Sequence, residues 1–211
     1  MKSGSERRVL LVWAAVLATF ATAPLFWWVQ NNLRPVGGAM AFPKALWLAD
    51  ALVLWIVLPL AIVSDTRVAN GVRRAFLILL VLMLLRGTLE AWMLYVTLNW
   101  SPWYGIAHDL LCIAALAWQW VRPCAGADAL WRTHIAATAM AFVPEIYFAW
   151  YMQRYFSTQG AGAVYFVPDD PAHALVLNVT AAAVVCCSVY IIIFLVRWLH
   201  AASDRGGART R

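Results

Sequence analysis

Residues 174–196, ALVLNVTAAAVVCCSVYIIIFLV, contain no Asp, Glu, Lys or Arg. A helix needs about 20 mostly apolar residues to cross the hydrocarbon core of a bilayer. This stretch meets that requirement, and five similar stretches precede it. The predicted membrane spans are Val9–Val29, Phe42–Val63, Ala75–Thr97, Trp103–Val121, Thr133–Tyr155 and Ala172–Trp198.

The composition supports the same fold class. Of the 211 residues, 64% are hydrophobic and only 12% are charged, whereas soluble domains have roughly 45–50% apolar and about 25% charged residues. So little charge excludes a soluble enzyme, a disordered chain and a nucleic-acid-binding domain. The sequence predicts an all-α, polytopic transmembrane bundle, with the membrane as a partner and no nucleic acid.

The basic residues predict the orientation, since cytoplasmic loops are enriched in Lys and Arg. They cluster before the first span, after the second, after the fourth and after the sixth, whereas the opposite loops hold few. Both termini are therefore expected on the cytoplasmic side, which agrees with an even number of spans. We expect a multi-pass protein of the cell's inner membrane.

The whole chain, residues 1–211, is predicted to form one integral membrane domain, with two spans in residues 1–64 and four in residues 75–199. The four cysteines have no CxxC spacing, which favours small apolar packing residues over a disulfide or metal site. We expect no metal and no cofactor. The sequence does not reveal the oligomeric state.

Polar side chains inside the spans are the strongest functional signal, because an ionisable group in a membrane is costly and usually marks function. At ~1.5 Å per residue, five of them fall in one layer of the outer half of the bilayer. Arg86 lies one turn from one of these groups, and His108 precedes another. The alternative interpretation is that these groups only hold the helices together. The five are Asp50, Glu90, Asp109, Glu145 and Asn178.

Aromatic residues accompany this layer. Trp92, Tyr95 and Tyr147 lie within a few residues of its carboxylates. Ring faces attract positive charge by about 0.5–2 kcal/mol each, so the pocket suits a carbocation, and it equally suits an apolar ligand. The tryptophans near span ends are typical of the interfacial aromatic belt. They are Trp27, Trp28, Trp100, Trp103, Trp131 and Trp198.

The stretch Arg86–Tyr95, RGTLEAWMLY, resembles the His-x-x-x-Glu-Gly-Trp stretch of the EXPERA-domain family, which includes the emopamil-binding-protein sterol isomerases. Asp109, the stretch Glu145–Phe148 and Asn178 are similar to the family's later acidic helix, acidic-aromatic stretch and last-helix asparagine. The resemblance covers residues 84–199. It departs from the family pattern at Arg86, where the family has His, and at Asp109, where it has Glu.

The resemblance implies a membrane isomerase that moves a double bond of an isoprenoid or sterol-like lipid. An acid protonates the alkene, and a base then removes another proton from the carbocation. Glu90, Asp109 and Glu145 are the predicted catalytic residues. The predicted substrate-binding residues are Asp50, Arg86, Trp92, Tyr95, His108, Tyr147 and Asn178.

Several alternatives remain open at this point. A weaker likeness to small membrane terpene cyclases implies the same chemistry in outline, and a non-catalytic lipid-binding or transport protein is also compatible. If Arg86 points into the site, it is suited to an anionic substrate group. Paired histidines, His108 and His173, suggest a haem site, and the carboxylates with these histidines suggest a metal site.

Overall fold

The computed structural model of this chain describes residues 4–32, 41–97, 101–159 and 171–207, and every regular element in them is helical. Within these ranges nine α-helices occur in chain order, and π-helical turns at Val53–Val57 and Met93–Thr97 extend two of them. They are α1 (Gly4–Ala21), α2 (Ala23–Asn32), α3 (Ala41–Leu52), α4 (Leu58–Ser64), α5 (Asn70–Trp92), α6 (Pro102–Val121), α7 (Ala129–Met140), α8 (Phe142–Gln159) and α9 (Pro171–Gly207).

In the described part of the chain, four helical stretches are long and apolar enough to cross a membrane: Arg7–Leu25, which runs from α1 into α2, Phe42–Ser64, Asn70–Trp92 and Ala174–Ala202. They coincide with the first, second, third and sixth predicted spans. The fourth predicted span is α6, which has 20 residues but includes buried His108, Asp109 and Gln119. The fifth predicted span corresponds to the pair α7 and α8.

Prolines divide two of the predicted spans. Proline lacks the N–H that would bond the carbonyl four residues earlier, and its ring clashes with that carbonyl. Pro24 is the second residue of α2, and α1 ends three residues before it. Pro144 is the third residue of α8, and the carbonyl it would clash with belongs to Met140, the last residue of α7. The first and fifth spans are therefore two helices each.

The continuous rod formed by α3, the first π-helical turn and α4 lies at the centre of the bundle. It is the most buried of the four long apolar helices. The helices α1, α2 and α9 pack against α3, and α5 packs against α4. In turn, α6 contacts α5, α7 and α8. Trp55, in the π-helical turn, stacks on Phe142 with 4.2 Å between ring centroids.

A second aromatic group lies where α7 meets α9, at the end of the bundle predicted to face the cytoplasm. The buried His134 ring stacks on Phe194 at 3.8 Å between centroids, and its Nδ1 lies 2.8 Å from the Tyr190 hydroxyl. Trp131 packs edge-on against Phe194 and Trp198. Aromatic packing therefore joins α7 to α9 at this end of the bundle.

The prediction of an interfacial belt is wrong for two of its members. Trp131 and Trp198 are only 5% and 6% exposed because they pack into the aromatic group with Phe194. Trp27, Trp28 and Trp103 are exposed, as a belt residue is. Trp100 lies outside the described residues.

The turn between α4 and α5 is held by local hydrogen bonds. Both Asp65 carboxylate oxygens accept from the Arg67 guanidinium at 2.8 Å, and the Arg73 Nε donates to the Val63 carbonyl. Burial raises the pKa of Asp65, but the hydrogen bonds from Arg67 outweigh burial and hold that pKa below its ordinary value. Asp65 is thus a carboxylate at neutral pH.

Gly71 brings α5 against the connection between α6 and α7. A Cβ atom at this position would lie 2.7 Å from the Pro123 carbonyl oxygen, whereas a Cβ at Gly87 in the same helix would meet nothing within 4 Å. We expect Gly71→Ala to lower the free energy of unfolding by about 1–3 kcal/mol, since backbone must shift to admit the methyl group. Thermal unfolding of the purified protein in a fixed detergent measures this effect.

Gly87→Ala is the matched control. Alanine replaces glycine in an exposed helical position, so we expect a gain of up to about 1 kcal/mol from helix propensity. Equal unfolding midpoints for the two variants would show that the α6–α7 connection does not press on α5.

Candidate functional site

The guanidinium of Arg86 on α5 joins three carboxylates that come from three helices. Its Nη1 donates to Asp109 Oδ1 on α6. Its Nη2 lies 3.7 Å from Glu145 Oε1 on α8, and its Nε lies 3.5 Å from Glu90 Oε1, one turn later on α5. Lys44 on α3 pairs with Glu145 from the other side. We call these five residues the Arg86 cluster.

The helix positions explain how one side chain reaches so many partners. Arg86 and Glu90 are four residues apart and share a helix face. On α6, Gly105 lies one turn before Asp109, and a Cβ there would be 3.8 Å from Arg86 Nη2. The guanidinium therefore lies against α6 at Gly105, where an alanine methyl group would be in ordinary van der Waals contact with it.

Glu145 is held most completely. Its Oε2 accepts hydrogen bonds from Lys44 Nζ at 3.1 Å and from Trp47 Nε1 at 2.7 Å, while its Oε1 faces Arg86. The Lys44 ammonium also lies 3.9 Å from the centroid of the Phe148 ring. Oε2 of Glu145 therefore has two hydrogen-bond donors and Oε1 faces a cation, and these contacts tie α3 to α8.

His108 connects the Arg86 cluster to the backbone of α5. Its Nε2 lies 2.9 Å from the Leu82 carbonyl oxygen, and its Nδ1 lies 3.4 Å from Asp109 Oδ1. Cys112, one turn later on α6, packs against the ring. Since both ring nitrogens face protein oxygens, neither is available as an axial ligand to haem iron. The side chain of His173, its suggested haem partner, lies outside the described residues.

The members of the Arg86 cluster differ in exposure. The Asp109 side chain is fully buried, those of Lys44, Arg86 and Glu145 are nearly so, and the Glu90 side chain is 31% exposed. Two cations face three carboxylates, so the formal charge is one negative unit. Glu90 is the carboxylate that a ligand approaching from outside the bundle meets first.

Two polar atoms at this site are buried without a hydrogen-bond partner among the described residues: Asp109 Oδ2 and the Tyr104 hydroxyl oxygen. Tyr104 lies one turn before His108 on α6, and their ring centroids are 6.3 Å apart. Buried polar groups in proteins are nearly always paired with protein or water. These two atoms have capacity for a water molecule or for a ligand's polar group.

The structure places Asp50 and Asn178 away from the Arg86 cluster. Asp50 is fully buried and accepts a hydrogen bond from the Ser188 hydroxyl of α9 at 3.0 Å. Six residues separate it from Lys44, which moves it ~9 Å along α3 and about 120° around the helix axis. Asn178 is exposed and lies ten residues, ~15 Å, from Ser188 along α9.

The described aromatic residues among those predicted for the site, Trp92 and Tyr147, differ in burial. Trp92 is 53% exposed. Tyr147 is partly buried, and its ring packs at 6.1 Å from Trp150, which is exposed. The side chain of Tyr95 lies outside the described residues. The aromatic side chains with described contacts to the cluster are instead Trp47 and Phe148.

Sequence reasoning missed Lys44, Trp47, Tyr104 and Ser188. A usable signal existed for the first two, since Lys44 lies inside a predicted span and Trp47 follows it by three residues on the same helix face. In the prediction of the orientation, Lys44 is one of the few basic residues assigned to the loops opposite the cytoplasm. Nothing in the sequence marked Tyr104 or Ser188.

The arrangement does not match the metal site suggested by the same carboxylates. The position between Glu90, Asp109 and Glu145 is taken by the Arg86 guanidinium. Within the described ranges, no three His, Cys, Asp or Glu side chains are placed to hold a metal ion.

No family model, curated protein or solved structure matches this chain.

Arg86 is expected to stabilise the bundle as well as the site. In Arg86→Leu, buried carboxylates lose their cation, and removing one partner of a buried ion pair costs about 3–5 kcal/mol. We expect thermal unfolding in detergent to show a loss of this size. Arg74→Leu, at an exposed position near the start of the same helix, should change the free energy of unfolding by less than about 0.5 kcal/mol. Similar losses in both variants would show that the cluster contributes little to stability.

Proposed function

We propose that this chain is an integral membrane protein with six spans and both termini in the cytoplasm, located in the cell's inner membrane. Four helices long and apolar enough to cross a membrane support a membrane location. At 20 residues, α6 is long enough to be a fifth span, and the α7–α8 pair is the sixth. The buried ion pairs join α3, α5, α6 and α8 at one level along the bundle, and this favours helices that cross the bilayer side by side.

Topology reporters fused after Arg74 and after Gly160, which lies outside the described residues, test the six-span arrangement. We expect the Arg74 fusion to report the cytoplasm and the Gly160 fusion to report the opposite side. A fusion after Arg205 should agree with the Arg74 fusion. If the Arg74 and Gly160 fusions report the same side, the proposed topology is wrong.

We infer further that the Arg86 cluster binds an apolar isoprenoid or sterol-like lipid and moves its double bond by proton transfer. The observation that carries this proposal is the convergence of Glu90, Asp109 and Glu145 on one buried guanidinium. The partial likeness of residues 86–95 to the EXPERA-domain family adds support. In this proposal Asp109 takes the acid's place, because it is fully buried, and Glu90 acts as base at the exposed edge.

The charge of Arg86 does not oppose such a reaction. A single fixed cation repels a carbocation, but Arg86 and Lys44 together are outnumbered by three carboxylates. A cation formed beside the cluster therefore experiences a net attraction. Both cations are also committed to carboxylates, which disfavours the alternative that Arg86 holds an anionic substrate group.

The proposed reaction neither consumes nor releases a proton overall. The acid forms a C–H bond to one alkene carbon, and its conjugate base keeps the electron pair. Glu90 removes a proton from a neighbouring carbon, whose C–H electrons form the new double bond. Returning that proton from Glu90 to the acid restores the site, so no proton is consumed overall. Glu145, whose Oε2 accepts two hydrogen bonds and whose Oε1 faces Arg86, orients the cluster.

Non-catalytic lipid binding is the second candidate, and one observation favours it. Every carboxylate of the cluster already has a cationic neighbour, an arrangement that holds a fold together without any proton transfer. A terpene cyclase would use the same initial protonation and differ in the fate of the carbocation.

Glu90→Gln distinguishes catalysis from binding. Positioned acid–base groups contribute typically about 10²–10⁴-fold to rate, so we expect this variant to lose turnover by such a factor while retaining co-purified lipid. Lipid extracts of cells that lack the chain, complemented with wild type or with the variant, provide the measurement. A precursor should accumulate unless wild type is supplied.

Asp65→Asn is the control, since it removes a carboxylate from the α4–α5 turn, far from the site. It should complement as wild type does. Full complementation by Glu90→Gln would exclude the isomerase proposal, and lipid co-purifying without any accumulated precursor would favour binding alone.

A further inference from the structure

The contacts of His108 restrict where its protons can be. A neutral imidazole has one N–H donor and one bare nitrogen. Nε2 faces the Leu82 carbonyl oxygen at 2.9 Å, and a carbonyl oxygen only accepts, so Nε2 carries a hydrogen. Nδ1 faces Asp109 Oδ1 at 3.4 Å. With a neutral ring and an ionised carboxylate, a lone pair would face an anionic oxygen there, and the donor that the described structure brings to this lone pair is the weakly donating Cys112 thiol, whose Sγ lies 3.7 Å away.

A proton between these two atoms removes that conflict. It resides either on Nδ1, which makes His108 an imidazolium, or on Asp109, which makes the carboxyl a neutral donor to Nδ1. In both cases the pair carries one proton more than a neutral histidine beside an ionised aspartate. Asp109 Oδ1 also accepts a hydrogen bond from Arg86 Nη1. Because this cationic donor stabilises the ionised carboxylate, the proton is expected on the histidine.

The charge balance of the Arg86 cluster is a second, independent argument for this proton. The ionisable groups around the pair are Lys44 from α3, Arg86 and Glu90 from α5, Glu145 from α8, and Tyr104 and Cys112 from α6. Lys44 and Arg86 leave one of the three carboxylates uncompensated. An isolated charge in a low-dielectric interior is costly, and one added proton makes the cluster neutral.

We propose that His108 and Asp109 form a proton-binding site, and that the proton held there is the one delivered to the substrate. The second half of this proposal rests on the proposed isomerase function, whereas the first half does not. His108 is then a positioning residue that keeps Asp109 supplied with a proton. When the proton leaves for the alkene, the cluster becomes negative by one unit beside the newly formed carbocation.

Nuclear magnetic resonance of ring-nitrogen-labelled histidine in lipid nanodiscs tests the proton-binding site without any substrate. The His108 signal is identified by its loss in His108→Gln. If the pair holds the proposed proton on the histidine, both His108 ring nitrogens carry a hydrogen. If the ring is neutral, the infrared carbonyl band of a protonated carboxylic acid that disappears in Asp109→Asn equally supports the proposal.

Glu90→Gln supplies a readout that a purely structural role of His108 would not change. Glu90 has no direct contact with His108 among the described side chains, but its loss removes the uncompensated negative charge. The His108–Asp109 pair should therefore release its proton at a lower pH in this variant, whereas Asp65→Asn, in the distant turn, should leave the titration unchanged.

A neutral His108 ring, together with no carboxylic acid band assigned to Asp109, would overturn the proposal. So would a titration that is the same in wild type and in Glu90→Gln. Because these measurements need no turnover, they remain decisive if the chain proves to bind lipid without transforming it. In the opposite case, turnover by a chain without this proton would remove the role of His108 and exclude Asp109 as the acid, while the evidence for isomerase activity itself would be unaffected.

Discussion

The buried guanidinium of Arg86 is the constraint on which the rest of the site depends. It is the only cationic group within reach of all three carboxylates in the described part of the chain, and those carboxylates belong to α5, α6 and α8. Lys44 extends the network to α3 through Glu145. Without the guanidinium, these helices would bring like charges together in a medium that cannot screen them. The same ion pairs thus stabilise the bundle and assemble its polar site.

Some residues of the Arg86 cluster hold the helices together, and others are able to gain or lose a proton. Glu145 accepts two hydrogen bonds at Oε2 and faces the Arg86 cation with Oε1, which suits a fixed anchor. Asp109 has one oxygen engaged and one without a partner among the described residues, and Glu90 is partly exposed. Groups with unused hydrogen-bond capacity are the ones able to change protonation state without breaking the bundle. The chemistry proposed here therefore concentrates on α5 and α6, while α3 and α8 hold them in place.

The sequence was sufficient to predict the helical fold and the central carboxylates. Apolar runs of the length of a bilayer predicted the elements, and the distance of each acid from a span end placed Glu90, Asp109 and Glu145 at one level, where they share Arg86. Depth along a helix says nothing about rotation around it, and depth counted from a predicted span end also misplaces Asp50 along α3, since the cluster meets that helix six residues earlier, at Lys44. Asp50 was placed at the right helix but faces Ser188 of α9, and Asn178 faces outward. Trp131 and Trp198 sit near span ends yet pack inward, because their position depends on a partner, Phe194, that no local pattern reveals.

The distribution of the charges along the chain has a consequence for biosynthesis. Arg86 and Glu90 are one turn apart and can pair as soon as their own helix enters the membrane. Lys44 instead waits for Glu145, which lies 101 residues later in the chain. Lys44 lies two residues after the start of its long apolar helix, Phe42–Ser64, where a lysine side chain can keep its ammonium at the helix end. That position lets α3 carry an unpaired cation until Glu145 is made, and the ion pair that ties α3 to α8 forms only when α8 arrives.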